Sequence, residues 1–505
     1  MNTIEQTERL QTLSPAKRAL LMKSLQKNAI QSQETQTIPR REKQSGIPLS
    51  FAQQRLWLID RLESGTVAYN VPFAVRLKGP LNQAAFQRSI NEVIKRHEAL
   101  RTTFMLEGDQ PIQIIAPSAS LTVSVLDLKQ VPADKKEAEI QRLAVAEART
   151  RFDLSKGPLL RTTLLELDHD EHVALFTMHH VVSDGWSDAV LIEEMIRFYE
   201  ADLTSQPAAL PELPIQYADF ALWQRERLKG PVLDELLSYW KQQLAGAPPL
   251  LNLPTDNPRP PVQTHPGALE SRIFPERISE GLRSLSRQEG VTPFVTVLAA
   301  FKTLLYKYAN QTDLVVGTPV ANRTRLETEG LIGCFLNTLA LRTDLSGNPT
   351  FRQLLRQVQA VTLGAHEHQD LPFELVIETL TTERNISYAP FFQVLFLYQN
   401  KPLENLKQRD LLLTPIDIHS GTAKFDLALA VVEGTNGQLT ASLEYNTDLF
   451  KAETITRMLE HFETLLTAIV SDPEKHLHDL NLLGEAEQEQ ILFKWNSTQT
   501  EFAQT

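Results

Sequence analysis

The sequence contains a single cysteine, Cys334, so one chain cannot form a disulfide or a cluster of thiolate metal ligands. No apolar run approaches the roughly 18 residues that a membrane helix needs, and the start, MNTIEQTERL, lacks the apolar core of a signal peptide. No cluster of lysine and arginine marks a nucleic-acid-binding face, and the formal net charge is −12. These absences predict a cytosolic protein in which Cys334 is a small core residue.

Two motifs of common enzyme classes are also missing. The chain has no G-x-S-x-G sequence for a serine nucleophile and no GxxxxGK[ST] sequence for a phosphate-binding loop. The histidine pair at 179–180 could bind a metal, but no matched histidine motif accompanies it, and HEHQD (366–370) stands at a predicted helix end. A histidine pair without a protein nucleophile or a metal motif fits better with a transferase whose own substrates supply the nucleophile and the electrophile.

Polar and proline-rich stretches divide the chain of 505 residues, which is long enough for two or three hydrophobic cores. The predicted order is an N-terminal helix with a linker, a first lobe, a helical and proline-rich bridge, a second lobe and a terminal linker. These segments cover residues 1–46, 47–205, 206–267, 268–470 and 471–505.

Both lobes alternate strands with amphipathic helices, which indicates an α/β layered fold. In the first lobe, NVPFAVRLKG (70–79) predicts a strand, and residues 159–178 predict a hairpin around the turn HDEH. In the second lobe, residues 292–310 predict a helix with Thr292 as its N-cap and Pro293 at its first position. The remaining predictions are helices over 82–97 and 451–470 and strands over 313–318, 391–398, 425–433 and 438–445.

The sequence HHVVSDG (179–185) stands where the apolar run VALFTM ends and a predicted helix begins. Backbone N–H groups and the positive end of the helix dipole favour negative charge at such a junction. Adjacent strand residues face opposite sides of a sheet, so we expect only one of His179 and His180 to face a site. Asp184 can cap the helix and is expected to pair with an arginine, either Arg101 or Arg323.

Six segments occur in an order that closely resembles the core motifs of condensation domains of nonribosomal peptide synthetases. They are SFAQQRLWLID (50–60), RHEALRTTF (96–104), MHHVVSDGWS (178–187), YADFALW (217–223), IGCFLNTLALR (332–342) and HQDLPFE (368–374). The resemblance runs from about Pro48 to residue 470, and only RNISYAPFFQV (384–394) departs from its motif. The tail ILFKWNSTQTEF resembles the linker toward an adenylation domain, and residues 1–30 fit a docking segment or a plain solubilising helix.

The resemblance implies two chloramphenicol-acetyltransferase-like lobes arranged as a V around a central tunnel. Two carrier proteins would approach from opposite ends, each holding a substrate as a thioester on a phosphopantetheine arm, with no cofactor bound covalently to the chain. The donor chain would move onto the acceptor amine as an amide. A downstream adenylation domain is a further expected partner, and a monomer suits a domain of this kind.

The family motif also implies roles for single residues. His180 would face the amine as a base or a positioning group, and His179 and Asp184 would be mostly structural, with Arg323 preferred as the partner of Asp184. Gly185 would let the backbone pass close to the substrate. The expected tunnel contacts are Trp186, Ser187, Asn337 and Gln369. Trp186 could equally be a packed core indole. Asn337 and Gln369 could equally be caps or strand-end hydrogen-bond partners.

Several interpretations stay open within this resemblance. SFAQQRLW and YNVPFAVRLKG more closely resemble the subtype that accepts a donor with an L-configured end, whereas an epimerising relative shares the histidine motif. Heterocyclisation is disfavoured, because its motif replaces the histidine pair with aspartate. The alternatives outside peptide synthesis are an acyltransferase that uses coenzyme A and a non-catalytic platform that recruits a tailoring enzyme.

Overall fold

The computed structural model describes residues 37–42, 45–62, 66–381, 385–399, 406–408, 410–416 and 418–497. Within these ranges the strands form two six-stranded sheets and one three-stranded sheet. No helix in the same ranges is long and apolar enough to cross a membrane. The docking segment expected at residues 1–30 lies outside the described residues, as does the part of the terminal linker (471–505) that follows residue 497.

Helices and strands are interspersed along the described chain, and a long connection over 245–266 separates its two halves. The first half contains β1 (Ile47–Pro48), α1 (Phe51–Leu62), β2 (Asn70–Lys78), α2 (Gln83–Arg96), β3 (Thr102–Glu107), β4 (Gln110–Ile115), β5 (Ser124–Asp127), α3 (Ala133–Ala148), β6 (Leu160–Asp168), β7 (Glu171–His179), α4 (Gly185–Thr204), α5 (Tyr217–Arg227) and α6 (Gly230–Leu244). The second half contains β8 (Gly267–Ile273), α7 (Glu276–Glu289), α8 (Pro293–Ala309), β9 (Asp313–Val320), α9 (Leu326–Glu329), β10 (Asn337–Asp344), α10 (Phe351–Glu367), α11 (Phe373–Leu380), β11 (Val394–Gln399), β12 (Leu406–Gln408), β13 (Leu411–Ile416), β14 (Leu427–Glu433), β15 (Leu439–Asn446), α12 (Ala452–Ser471) and α13 (Glu485–Glu489).

Strand β7 lies inside the first six-stranded sheet, whose order is β12-β13-β2-β7-β6-β5. Its alternate residues enter two different hydrophobic clusters. Phe176 belongs to the cluster that contains helices α2 and α4, and Leu175 belongs to the one that contains helix α3. Because helices cover both faces, the strand is apolar throughout instead of alternating, which explains the run VALFTM. The predicted β6–β7 hairpin is confirmed.

The second six-stranded sheet has the order β10-β9-β11-β14-β15-β8 and mixes parallel with antiparallel pairs. Helix α8 begins as predicted, with the Thr292 side chain accepting from the Val295 N–H and with Pro293 at its first position. Helices α7, α8, α10 and α12 contribute to one large core with this sheet. The strands predicted in this lobe are all present, within a few residues of their expected bounds.

One strand pairing departs from the predicted division of the chain. Strand β13, which follows five strands of the second half, pairs with β2 in the first sheet, with Leu413 opposite Leu77. The backbones approach so closely beside this pair that a Cβ on Gly79, whose φ is +123°, would lie 2.0 Å from the Asp410 carbonyl oxygen. Strands β12 and β13 therefore belong to the first sheet, although residues 268–470 were expected to form one lobe.

A hydrophobic cluster joins the two halves beneath the HHVVSDG turn. Val181 and Val182 of the turn pack in it with Leu331, Cys334 and Phe335 of the second half. Cys334 is a buried free cysteine, as expected for a small core residue. This shared cluster fixes the segment before β10 against the end of β7, and the candidate site is built at that contact.

Candidate active site

The two adjacent histidines have different surroundings. His179 ends β7, is 3% exposed, and its Nδ1 accepts a hydrogen bond from the Val181 N–H at 3.1 Å. Burial and the neighbouring His180 lower the pKa of His179 to about 3, so its ring is neutral. His180 is partly exposed, and its backbone N–H donates to the Tyr69 carbonyl at 2.9 Å. Only His180 can therefore meet a ligand, as expected, although it is the first residue of the turn after β7 and not a strand residue.

One hydrogen bond sets the tautomer of His180. Its Nδ1 lies 2.7 Å from the Ser183 carbonyl oxygen. A carbonyl oxygen only accepts, so Nδ1 carries the hydrogen and Nε2 of the neutral ring carries a lone pair. Burial and the Lys424 ammonium lower the pKa of His180 well below its ordinary value, so the ring is neutral at pH 7. No described residue forms a hydrogen bond with Nε2, which is available to a ligand.

Asp184 is the buried N-cap of helix α4. Its Oδ1 accepts from the Ser187 backbone N–H at 2.9 Å and from the Ser187 hydroxyl at 2.7 Å. Its Oδ2 accepts from the Phe335 N–H at 3.0 Å, which ties the turn to the second half of the molecule. The carboxylate thus holds the turn in place and has no free oxygen directed at a ligand.

Arg323 completes this arrangement from the loop after β9. Its Nη2 donates to Asp184 Oδ1 at 3.0 Å, and its side chain is 1% exposed. The predicted pairing with Arg323 is confirmed. The alternative, Arg101, is wrong, because its guanidinium donates to the Ala116 carbonyl and lies 3.7 Å from Glu98.

The residues after Asp184 differ in what they face. Gly185 is exposed, and a Cβ built on it would meet no protein atom within 4 Å. Trp186 is 46% exposed and donates from its indole N–H to the Glu329 carbonyl at 2.8 Å, so it is not a packed core residue. The expectation that Ser187 lines a tunnel is wrong, because its side chain is fully buried and its hydroxyl accepts from the Gly333 N–H at 3.1 Å.

Asn337 and Gln369 form strand-end and loop hydrogen bonds. The Asn337 amide donates to the Gln369 and Leu371 carbonyls, both at 2.7 Å, and its oxygen accepts from the Phe373 N–H at 3.0 Å. The Gln369 amide donates to the His366 carbonyl at 2.9 Å. Because Asn337 is 6% exposed and its amide is fully engaged, its expected tunnel contact is replaced by the alternative of a structural cap.

Two residues near His180 have no counterpart in the predicted site. The Nζ of Lys424 lies 5.1 Å from the centroid of the Tyr69 ring, and Tyr69 is the residue whose carbonyl holds the His180 backbone. Lys424 precedes β14 in the segment SGTAKFDL, where the sequence shows only the start of a strand. No local motif relates it to His180, so only the three-dimensional structure brings the two together.

Other chemistry has little support around His180. The Cys334 Sγ lies 4.0 Å from His180 Nδ1, but burial raises the pKa of its thiol far above neutrality, so it is not a thiolate nucleophile. In the described part of the chain, no three histidine, cysteine or acidic side chains are grouped to hold a metal ion. The site therefore offers one neutral imidazole to reactants that must bring their own nucleophile.

Comparisons with known proteins agree with this geometry. A family model described as "Condensation domain" matches residues 43–492. One of the linear gramicidin synthase subunits of Brevibacillus parabrevis is 48% identical over 460 residues, which are 91% of this chain and 6% of that protein. The X-domain from teicoplanin biosynthesis superimposes with a TM-score of 0.81 at 26% identity, over 89% of this chain and 100% of that one. AB3403, a four-domain nonribosomal peptide synthetase, superimposes with a TM-score of 0.79 at 27% identity, over 87% of this chain and 34% of that one.

These matches confirm the predicted α/β fold class with chloramphenicol-acetyltransferase-like lobes. The chain spans only 6 to 9% of the length of the three linear gramicidin synthase proteins that it matches.

Proposed function

The chain belongs to the condensation-domain family, and on this premise we propose that it joins two carrier-bound substrates through an amide bond. The donor is an aminoacyl, peptidyl or acyl thioester, and the acceptor is the amine of an aminoacyl thioester. Both are held by phosphopantetheine arms of carrier proteins, so these arms are part of the substrates. The matched relatives, which are peptide synthases and synthetases, support carrier proteins and an adenylation domain as partners.

The lone pair on His180 Nε2 is the single observation that carries this proposal. The acceptor nitrogen attacks the thioester carbonyl carbon, a C–N bond forms, and the carbonyl π electrons move onto oxygen. His180 Nε2 accepts a proton from that nitrogen. When the intermediate collapses, the C–S bond breaks and the departing thiolate takes the proton from His180, which returns to its starting state.

The lowered pKa of His180 favours a positioning role over that of a strong base. A free α-amino group has a pKa of roughly 7.7–8.0, so a sizeable fraction is already neutral at pH 7. The thioester is activated, and holding two reactants in line contributes roughly 7–11 kcal/mol in favourable cases. His180 orients the neutral amine through Nε2 and receives its proton only once the C–N bond has begun to form.

The remaining parts of the prediction belong to the same proposal. We propose a V-shaped pair of lobes with a tunnel that reaches His180 from two sides and passes over Gly185, where open space would receive substrate. The lobe and linker bounds are proposed as predicted, except that strands β12 and β13 join the first sheet. SFAQQRLW and YNVPFAVRLKG support the L-donor subtype. Cytosolic location and a monomeric state remain predictions.

A non-catalytic platform is the second candidate. It is favoured by the likeness to the teicoplanin X-domain, which has also been solved in a complex with OxyB. The intact histidine motif favours catalysis instead, and so does the lone pair of His180 Nε2, which accepts no hydrogen bond from a described residue.

The test is transfer between separately loaded carriers. The purified chain is mixed with a donor-loaded and an acceptor-loaded carrier domain of linear gramicidin synthase, and intact-protein mass spectrometry follows the acceptor carrier. Amide formation adds the mass of the donor group to the acceptor carrier. Carrier binding without turnover would favour the platform, and transfer only from coenzyme A thioesters would favour a free acyltransferase.

A further inference from the structure

We propose that Lys424 is a further functional residue of this reaction, whose ammonium stabilises the negative charge that develops on the thioester oxygen. The inference rests on the proposed function, because the charge appears only when an amine attacks a carbonyl. It concerns a residue of the second lobe, whereas His180 belongs to the first. The reacting centre would thus draw its imidazole and its cation from different halves of the molecule.

The position of Lys424 is fixed by contacts on both sides. Its carbonyl accepts from the Gln263 side chain at 3.2 Å, and the Arg149 side chain of the first lobe donates to the nearby Ser420 carbonyl at 3.0 Å. The Nζ lies 5.1 Å from the centroid of the Tyr69 ring. Tyr69 therefore contacts both sides of the site, because its carbonyl accepts the His180 backbone N–H and its ring lies beside the Lys424 ammonium.

Among the described residues Lys424 has no ion-pair partner; burial lowers the pKa of its ammonium, and the more distant Glu444 carboxylate opposes that shift. The lysine is partly buried, and in the described part of the chain it forms no ion pair and has only the Tyr69 ring as a close polar contact. Lys302, a fully buried lysine of the same lobe, differs, because its Nζ donates to the Leu341 carbonyl at 2.6 Å and to the Thr343 hydroxyl at 2.8 Å. A partly desolvated cation without a directly paired anion gains most from a negative charge that arrives with the ligand.

The electrostatics of the histidine pair agree with this position. Burial is the main reason why the pKa of His180 is low, and Lys424 is the next largest cause. Lys424 also contributes to the low pKa of His179, after burial and His180. The other titratable or charged groups around these side chains are Arg55, Arg161, Asp184, Cys334, Glu374 and Glu444.

The chemistry explains what a cation contributes here. As the C–N bond forms, the carbonyl oxygen takes the π electron pair and becomes an oxyanion. A fixed positive charge in a partly desolvated site stabilises that oxyanion more than the uncharged thioester, and so lowers the barrier. The same charge repels protonated amines and keeps the imidazole of His180 neutral, which leaves Nε2 free to take the proton.

The first measurement compares Lys424→Met with Lys424→Arg in the carrier assay. Methionine keeps the length of the side chain and removes the charge, so kcat should fall roughly 10- to 100-fold while KM for both carriers changes little. Arginine restores a cation and should recover most of the rate. Lys129→Met is the matched control, because Lys129 is also partly buried but pairs with Glu166 at 3.0 Å in the first lobe, and its loss should leave kcat unchanged.

The second measurement is the pH dependence of kcat, which a purely structural lysine would not alter. Without the nearby cation the pKa of His180 rises, so the acid limb of the Lys424→Met profile should move to higher pH. Lys424→Gln repeats the test if the methionine variant is unstable.

A methionine variant with unchanged kcat and an unmoved acid limb overturns the inference, as does an arginine variant that is as slow as the methionine variant and equally destabilised. Failure of the unmodified chain to form amide would count against the proposed function instead.

Discussion

Two polar clusters lie on either side of the HHVVSDG turn and differ in how completely their polar groups are bonded. In the closed cluster, defined as Asp184, Ser187 and Arg323, the carboxylate receives hydrogen bonds from both other members and from the Phe335 N–H. In the open cluster, defined as His180 and Lys424, Nε2 and Nζ have no hydrogen-bond partner among the described residues. Bonded groups hold the turn, and groups left without partners are the ones that can react.

Removing the imidazole of the open cluster should have the largest effect on rate. His180→Ala is expected to lower amide formation by about 10²-fold or more, because it removes both the proton acceptor and the group that orients the amine. The melting temperature should change little, since the ring is partly exposed. The check is the carrier assay with circular dichroism melting, and His169→Ala, an exposed histidine in the β6–β7 turn, is the control.

Breaking the closed cluster should instead reduce stability first. Asp184→Ala leaves the Arg323 guanidinium buried without its carboxylate, which costs about 3–5 kcal/mol in comparable cases. Chemical denaturation measures the loss, and the rate should fall with it because His180 is displaced. Adding Arg323→Met should recover part of the stability. An inactive Asp184→Ala protein with undiminished stability would point to a direct chemical role for the carboxylate.

Gly185 directly follows Asp184 and is exposed, so a substitution there separates substrate effects from folding effects. Alanine meets no protein atom there and has a better helix propensity, by up to about 1 kcal/mol, so Gly185→Ala should keep or raise the melting temperature. If substrate passes over this residue, KM for the loaded carriers should rise several-fold. Unchanged kinetics would remove Gly185 from the proposed tunnel wall.

Lys302 allows an effect on stability alone, with the least expected effect on rate, to be measured away from the site. Burial lowers its pKa to about 7, whereas the unfolded chain should have the ordinary lysine value near 10.5. Between these values the unfolded state binds more protons than the folded state, so the free energy of unfolding should rise with pH from about 7 to 10.5. Denaturant titrations of the unmodified chain and Lys302→Met should show a steeper slope in the former; equal slopes would contradict the prediction.

The sequence predicted the elements that carry strong local signals. The apolar run VALFTM, together with the polar turn HDEH that precedes this run, predicted the β6–β7 hairpin. Thr292-Pro293 predicted the start of α8. Because neighbouring strand residues face opposite sides of a sheet, the sequence also predicted that only one of His179 and His180 faces the site. The resemblance to condensation domains implied an arginine partner for Asp184, and Arg323 was preferred because it lies beside a predicted strand end in the other lobe; spacing alone left Arg101 equally acceptable.

The remaining features depend on contacts that the sequence does not display. Strand β13 pairs with β2, far away in the chain, so no neighbouring segment indicated its sheet. Ser187 was expected in a tunnel, yet it is the third helical residue of a capping box with Asp184, a pattern that the sequence DGWS already contains. Lys424 lies near His180 only because the two halves of the chain pack together. Neither the sequence around Lys424 nor the sequence around His180 indicates this contact.

The most direct test of the central claim is the tautomer of His180 in solution. Long-range ¹⁵N–¹H correlation spectra of histidine-labelled protein, with His180→Gln to assign the signals, report which ring nitrogen carries the hydrogen. A hydrogen on Nδ1 and an unprotonated Nε2 at pH 7 are the predicted result. A hydrogen on Nε2, or a doubly protonated ring at that pH, would contradict the proposed reaction.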